Sequence, residues 1–278
     1  MKQTAPLLSA RLSVEYRNKR SVLQDVVLEI ATGEILGLVG ESGSGKSTIA
    51  LALLQLLQSK GGKVAGEVLF QGEDLLKKTE KQLRRIRGKA MSIVLQSPLT
   101  SLNPALRIGA QLKEAWRAHA SGTTAERQAA IENALESVSL PWDDDFLRRR
   151  PSQLSVGQGQ RVIIAMGILH RPALLIADEA TSALDTITQS EILKLFRRLN
   201  HDLGMAILYI SHDLFSVAAL CERVSILSEG RIVECSPSQQ IFDSPRHSYT
   251  RQLIAALPKR PDGAPLPGYE AERVLSRR

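Results

Sequence analysis

The spacing of apolar positions changes several times along the chain, and each change predicts an element. Leu12 to Tyr16, Val22 to Ile30 and Glu34 to Val39 read as strands, the last running into a glycine-rich turn. Lys46 to Gln58 follows with Ile49, Leu53, Leu56 and Leu57 on one helical stripe, and Gly61-Gly62 breaks it. Val64 to Phe70 alternates as a strand does, and Met91 to Leu95 is a compact apolar run suited to a buried strand. From Ile108 to about Gly167 the pattern is mainly helical, divided at Gly122, Pro141 and Pro151. Strands return at Ala173 to Ala177 and Met205 to Ile210, with a helix over Thr188 to Leu203 between them. Strand–helix alternation of this kind predicts βαβ units around a buried parallel sheet, here interrupted by a helical insertion. The last forty or so residues read as a tail, proline-rich beyond Leu257.

Composition narrows the class without choosing a function. The 278 residues are 43% hydrophobic, 23% charged and 4% aromatic, a globular balance that excludes disorder, collagen-like repeats and a disulfide scaffold. The length suits one large domain, or two small ones sharing a core. The longest apolar run, Val162 to Leu169, falls far short of the roughly 20 residues that cross a bilayer. No signal-peptide segment is read at the N-terminus, so a cytoplasmic chain is expected. Cys221 and Cys235 lack CxxC spacing and read as inert thiols. The net charge of +7 includes basic clusters at residues 84–89 and 148–150, but no interleaved aromatics of the kind that stack bases. No nucleic-acid partner is expected, and the clusters read as solvated faces.

Two stretches carry chemistry. Gly40-Glu41-Ser42-Gly43-Ser44-Gly45-Lys46-Ser47 fits G-x-x-x-x-G-K-[ST], preceded by a strand and followed by a helix. Glycines let the backbone curl so that successive N–H groups face phosphate oxygens, reinforced by the positive helix end. Lys46 then reaches the β- and γ-phosphates, and the Ser47 hydroxyl can ligate Mg²⁺. Leu174-Leu175-Ile176-Ala177-Asp178-Glu179 is a buried strand delivering two carboxylates at its C-terminal end. Asp178 is placed to hold Mg²⁺ through water, and Glu179 to polarise an attacking water.

A third stretch, Leu154-Ser155-Val156-Gly157-Gln158, opens a helix. With it the chain resembles the ATP-binding subunit of an ABC transporter over about residues 8–257. The phosphate loop, Gln96, this signature, the Asp178-Glu179 strand, Ser182-Ala183-Leu184-Asp185 and Ile210-Ser211-His212-Asp213 occur in the family's order. The resemblance implies an α/β fold: a P-loop NTPase (RecA-like) core with an antiparallel β subdomain and an inserted helical signature subdomain. The core would cover about 8–96 and 173–240, the helical subdomain about 97–172, and a C-terminal extension 240–278. It implies ATP and Mg²⁺ as ligands, with Tyr16 stacking on adenine and the loop through Thr48 on the phosphates. Gln96 would link Mg²⁺ and the attacking water to a membrane partner, His212 would contact the γ-phosphate, and Asp185 would couple two active sites. Glu179, His212 and Gln96 would be catalytic, with Ser47, Gln96 and Asp178 the metal ligands. Ser155, Gly157 and Gln158 would meet the γ-phosphate held by a second subunit, so that two ATP molecules are sandwiched between two subunits. One departure stands out: Val156 occupies a position where the family has glycine, a concern if that backbone needs φ > 0.

Residues 96–104, Gln-Ser-Pro-Leu-Thr-Ser-Leu-Asn-Pro, and 245–253, Pro-Arg-His-Ser-Tyr-Thr-Arg-Gln-Leu, resemble the branch serving oligopeptide, dipeptide and nickel importers. The resemblance implies a second ABC ATPase, identical or different, two transmembrane permeases and, indirectly, an extracytoplasmic binding protein. The chain would sit on the cytoplasmic face of the plasma membrane. Many members of that branch carry a cysteine cluster in the tail; this chain has no cysteine after Cys235, and no iron–sulfur cluster is expected. The tail reads either as a solvated helix or as a docking or regulatory element. The alternative function is a soluble ATPase of a carbon–phosphorus lyase complex, to which this branch is also similar.

Overall fold

The computed structural model describes residues 5–16 and 19–257. In chain order the first elements are β1 (Leu8–Tyr16), β2 (Lys19–Ile30), β3 (Ile35–Val39), α1 (Lys46–Leu53), β4 (Gly62–Phe70) and β5 (Glu73–Asp74). Next come α2 (Glu80–Ile86), β6 (Met91–Val94), α3 (Pro98–Ser101), α4 (Ile108–Arg117), α5 (Thr124–Ser137), α6 (Asp144–Arg148) and α7 (Val156–Ile168). The chain closes with β7 (Leu174–Asp178), α8 (Thr186–Leu203), β8 (Ala206–Ser211), α9 (Leu214–Leu220), β9 (Arg223–Ser228), β10 (Arg231–Pro237), α10 (Ser238–Asp243) and α11 (Ser248–Ala255). Two compact units result, one from residues up to 77 together with those from 208 onward, the other from residues 78–207.

The first unit contains an antiparallel sheet of order β2-β1-β4-β5, with β1 paired to β4 from Leu8↔Phe70 to Tyr16↔Gly62. Along β1 the buried residues Leu8, Ala10, Leu12 and Val14 alternate with wetter ones, as expected of a sheet with one wet face. β3 is different: every residue from Ile35 to Val39 is buried, and it runs parallel to β9 from Leu36↔Arg223 to Val39↔Ile226. Burial on both faces removes alternation from the sequence, which is why it reads there as a continuous apolar run. Gly37 is required by packing, since a Cβ there would lie 2.8 Å from Val217 Cγ1 on α9.

The second unit pairs β6 parallel to β7, Met91↔Leu174 through Val94↔Ala177, and surrounds them with helices. Its helix starts are fixed chemically. Thr123 and Glu126 form a capping box at α5, and Asp143 accepts from the Phe146 N–H at α6. Leu112, Leu135, Phe146, Val162 and Ile164 are fully buried among these helices. Arg161 of α7 ties the bundle together, donating to the Val138 carbonyl at 2.9 Å and to Glu191 of α8 at 2.9 Å.

Several elements depart from the sequence expectation. The helix predicted over Lys46–Gln58 ends at Leu53. Gln55 takes a left-handed φ of 54°, the Leu56 N–H returns to the Leu51 carbonyl, and the Gln55 N–H to the Ala52 carbonyl. This is a Schellman stop without glycine. Leu57 is nevertheless fully buried, which explains why the apolar stripe continues past the true end. The tail, read as a solvated helix or as a docking or regulatory element, holds two helices, α10 and α11, and its residues 258–278 lie outside the described part. The basic clusters are largely answered by neighbouring carboxylates: Arg84 and Arg87 pair with Glu80, Arg148 with Asp144 and Arg149 with Asp145. Among the described residues no helix is long and apolar enough to cross a membrane.

Candidate nucleotide site

The glycine-rich loop lies in the first unit, between β3 and α1. Gly43 and Gly45 have φ of 82° and 108°, values that side chains rarely adopt. Position 45 is doubly restricted, because a Cβ there would also lie 2.6 Å from Leu23 Cδ2. Gly40 packs against β9 so closely that a Cβ would meet the Leu227 carbonyl oxygen at 2.3 Å. Lys46 is 7% exposed, and its ammonium donates to the Gly40 carbonyl at 2.7 Å and the Glu41 carbonyl at 3.0 Å. The lysine therefore ties the mouth of the loop to the first turn of α1. Ser44 Oγ is buried without a hydrogen-bond partner among the described residues, while Glu41, Ser42 and Ser47 are exposed and Thr48 is half-buried. A buried unpartnered hydroxyl inside a curl of backbone amides is the donor-rich concavity that phosphate oxygens fit.

Two more predicted residues belong to this unit. Tyr16 ends β1, half-buried, opposite Gly62; a Cβ on Gly62 would lie 3.3 Å from Tyr16 Cε1. His212 is exposed just after β8. The residue following it, Asp213, caps α9 by accepting from the Phe215 and Ser216 N–H groups, which fixes the turn that presents the imidazole.

The second unit carries Gln96, Ser155, Gly157, Gln158, Asp178, Glu179 and Asp185. Gln96 is exposed beyond the end of β6. Asp178 is buried as the last residue of β7. Glu179, half-buried, has a left-handed φ of 52°, and its carbonyl accepts from both the Ser182 N–H and the Ser182 hydroxyl. A glutamate held in the left-handed region by its neighbours is the kind of stored strain that clusters at working sites.

The signature is a helix cap. Ser155 Oγ accepts from the Gln158 N–H at 3.1 Å, and Gln158 Oε1 accepts from the Ser155 N–H at 3.1 Å, a complete capping box. Val156 is the first residue of α7 and is not among those with positive φ, so the concern raised by the missing glycine does not arise at this backbone. Val156→Gly is therefore expected to leave turnover within about twofold of the parent, since the change removes no strained conformation. Steady-state kinetics checks this; several-fold faster turnover would contradict it.

Asp185 caps α8, accepting from the Ile187 and Thr188 N–H groups and from the Thr188 hydroxyl at 2.7 Å. The Thr188 amide and hydroxyl hold its carboxyl below the usual carboxylate range. The starts of α7 and α8 touch, because a Cβ on Gly157 would lie 2.8 Å from Thr188 Cγ2. Sequence reasoning selected Gly157 and Asp185 separately and missed Thr188, which joins them. Nothing in the sequence marked that threonine apart from its place at the third helical position after a capping aspartate. Burial raises the phenol of Tyr249 on α11, with Glu41 and Ser228 contributing.

These features define a P-loop NTPase fold. The chain belongs to the ABC transporter family, whose model matches residues 23–182. It is 42% identical over 261 residues to a putative peptide import ATP-binding protein of Brucella abortus, covering 92% of this chain and 78% of that one. It is 41% identical over 243 residues to the glutathione import ATP-binding protein GsiA of Salmonella paratyphi A, covering 85% of this chain. The match spans only 39% of the length of GsiA. Among solved structures it is similar to CbiO1 of Clostridium perfringens, part of the ABC transporter complex CbiONQ, with a TM-score of 0.75 and 25% identity over 92% of this chain and 97% of that one. It is also similar to the ATP-binding cassette MJ0796, as a dimer in a post-hydrolysis state bound to ADP and Pi, with a TM-score of 0.71 and 26% identity over 83% of this chain and 98% of that one.

Proposed function

We propose that this chain binds and hydrolyses ATP as the motor subunit of an ABC importer for peptides or a similarly recognised small cargo. The phosphate loop carries the proposal, through its left-handed glycines, its lysine-tied mouth and the buried hydroxyl of Ser44. The peptide and glutathione import relatives support the cargo class. The working cassette is residues 8–257.

The proposed roles follow the chemistry of each group. Backbone N–H groups from Gly43 to Thr48 and the Lys46 ammonium hold the phosphates, and Tyr16 supports the base. Ser47, Gln96 and Asp178 offer hydroxyl, amide and carboxylate oxygens, the hard donors that Mg²⁺ takes. Mg²⁺, when bound, neutralises developing charge on the phosphates. Glu179 takes the proton of the attacking water, and His212 steadies the γ-phosphate. Asp185 and the capped start of α7 serve a second cassette. Val156 is 41% exposed and Ile187 is 76% exposed, so apolar side chains flank both of those helix starts, which favours a protein partner there.

Affinity purification of the tagged chain from detergent-solubilised membranes tests the assembly. The expected result is co-recovery of a second cassette subunit and two membrane permeases, with ATP turnover in the recovered complex. Recovery with soluble phosphonate-metabolising subunits and no permease would favour the carbon–phosphorus lyase alternative instead.

A further inference from the structure

Gln160 on α7 is 1% exposed, and its Nε2 has no hydrogen-bond partner among the described residues. A carboxamide nitrogen carries two donors, and donors left unpaired in an interior are costly. Its helix neighbours Val162, Ile163 and Ile164 are buried and apolar, so an apolar side chain at 160 would fill the same space without that cost. A glutamine kept there therefore calls for a function.

The register of α7 shows where the amide sits. Gly167 lies against β6 and β7: a Cβ there would come 3.3 Å from Val94 Cγ2, 3.4 Å from Leu175 Cδ1 and 3.4 Å from Ser92 Oγ. Gly159 lies against α3, where a Cβ would be 3.2 Å from Pro98 Cβ. So α7 runs back along β6, with its first turns at the strand's C-terminal end. From Gly167 to Gln160 is two helical turns, which returns to the same face roughly 10 Å further along. That distance equals about three residues of strand. It carries the level from Ser92–Val94 to Gln96, and from Leu175 to Asp178. The buried carboxamide thus stands where Gln96 leaves β6 and Asp178 closes β7.

We propose that Gln160 is a positioning residue for the segment 95–97. Its amide pairs with a main-chain carbonyl of that segment in the nucleotide-bound state and fixes Gln96 where it works. The nucleotide-free chain leaves the donors unpaired, which disfavours that arrangement and favours the bound one. One side chain thereby links the signature helix to the Gln96 segment, so that the two change together. This rests on the nucleotide site, and on the role of Gln96, proposed above.

Gln160→Met tests it, because methionine keeps the length and most of the volume and removes both donors. The expected result is a fall in kcat of about tenfold, the scale of one lost hydrogen bond, with KM for Mg-ATP within about twofold. The melting temperature of the nucleotide-free chain should equal or exceed that of the parent, since an unpaired buried polar group has become apolar. Hydrogen exchange gives a readout apart from turnover. Mg-ATP should slow amide exchange in the peptide covering residues 92–101 of the parent but not of the Gln160→Met chain, with α5 alike in both. Gln160→Leu, also without donors, should repeat the pattern. Turnover and nucleotide-induced protection both like those of the parent would overturn the proposal. So would a lowered melting temperature with protection by Mg-ATP intact, the result for a purely structural glutamine. Failure of the nucleotide reading is distinct: the parent itself would take up no Mg-ATP, and this inference would fall with it.

Discussion

Glu179→Gln is expected to slow steady-state ATP hydrolysis by at least about a hundredfold, the usual scale for removing a general base. Affinity for Mg-ATP should stay within about threefold of the parent. Glutamine has the same size and keeps an oxygen that can accept a hydrogen bond, but a carboxamide does not take a proton from water. The local fold should survive, because the turn after β7 uses the Glu179 carbonyl, which accepts from the Ser182 N–H and hydroxyl, rather than its side chain. Cost at this position is already built into the parent, where a non-glycine residue sits at φ 52°. Nothing in the substitution relieves that cost, so any gain in thermal stability will be small. Phosphate release and nucleotide titration, measured on the same preparation, separate the two effects. Turnover like that of the parent would remove Glu179 from its assigned role.

The second large effect is on binding. Lys46→Met should weaken Mg-ATP affinity by about a hundredfold or more, which corresponds to about 2.7 kcal/mol. Charge-assisted hydrogen bonds are each worth about 1.5–3 kcal/mol, and the lysine is placed to make more than one to phosphate oxygens. Methionine fills most of the buried stem, so the change isolates the ammonium from its packing. The parent also uses that ammonium to hold the Gly40 and Glu41 carbonyls, so the substituted loop loses an internal tie as well as a cation. A fluorescent nucleotide titration, with a melting curve to confirm folding, reads the result. An affinity within threefold of the parent would show that the phosphates are bound elsewhere.

Much of this site is legible in the residues because its chemistry is local. A loop that needs left-handed backbone at two positions and a lysine at its helix start leaves a continuous eight-residue record, from Gly40 to Ser47. The strand ending in Asp178, with Glu179 just after it, is legible for a similar reason, since burial on both faces makes its approach uniformly apolar. The helix α1 shows the opposite case. Its end at Leu53 is set by Gln55 in a left-handed conformation, and glutamine carries no sequence signal for that role. The strain at Glu179 is likewise invisible in a string of letters. Contacts distant in sequence were lost entirely: Thr188 against Gly157, and Arg231 donating to the Gln24 side chain. The second of these joins positions about two hundred residues apart, and only the folded chain brings them together.

Sedimentation velocity of the Glu179→Gln chain, mixed with the cassette subunit that copurifies with it, puts the shared-nucleotide claim to its most direct test. With Mg-ATP the two chains should sediment as a pair that retains ATP, and without nucleotide they should separate. Well-folded chains that bind ATP yet remain single under both conditions would contradict the account.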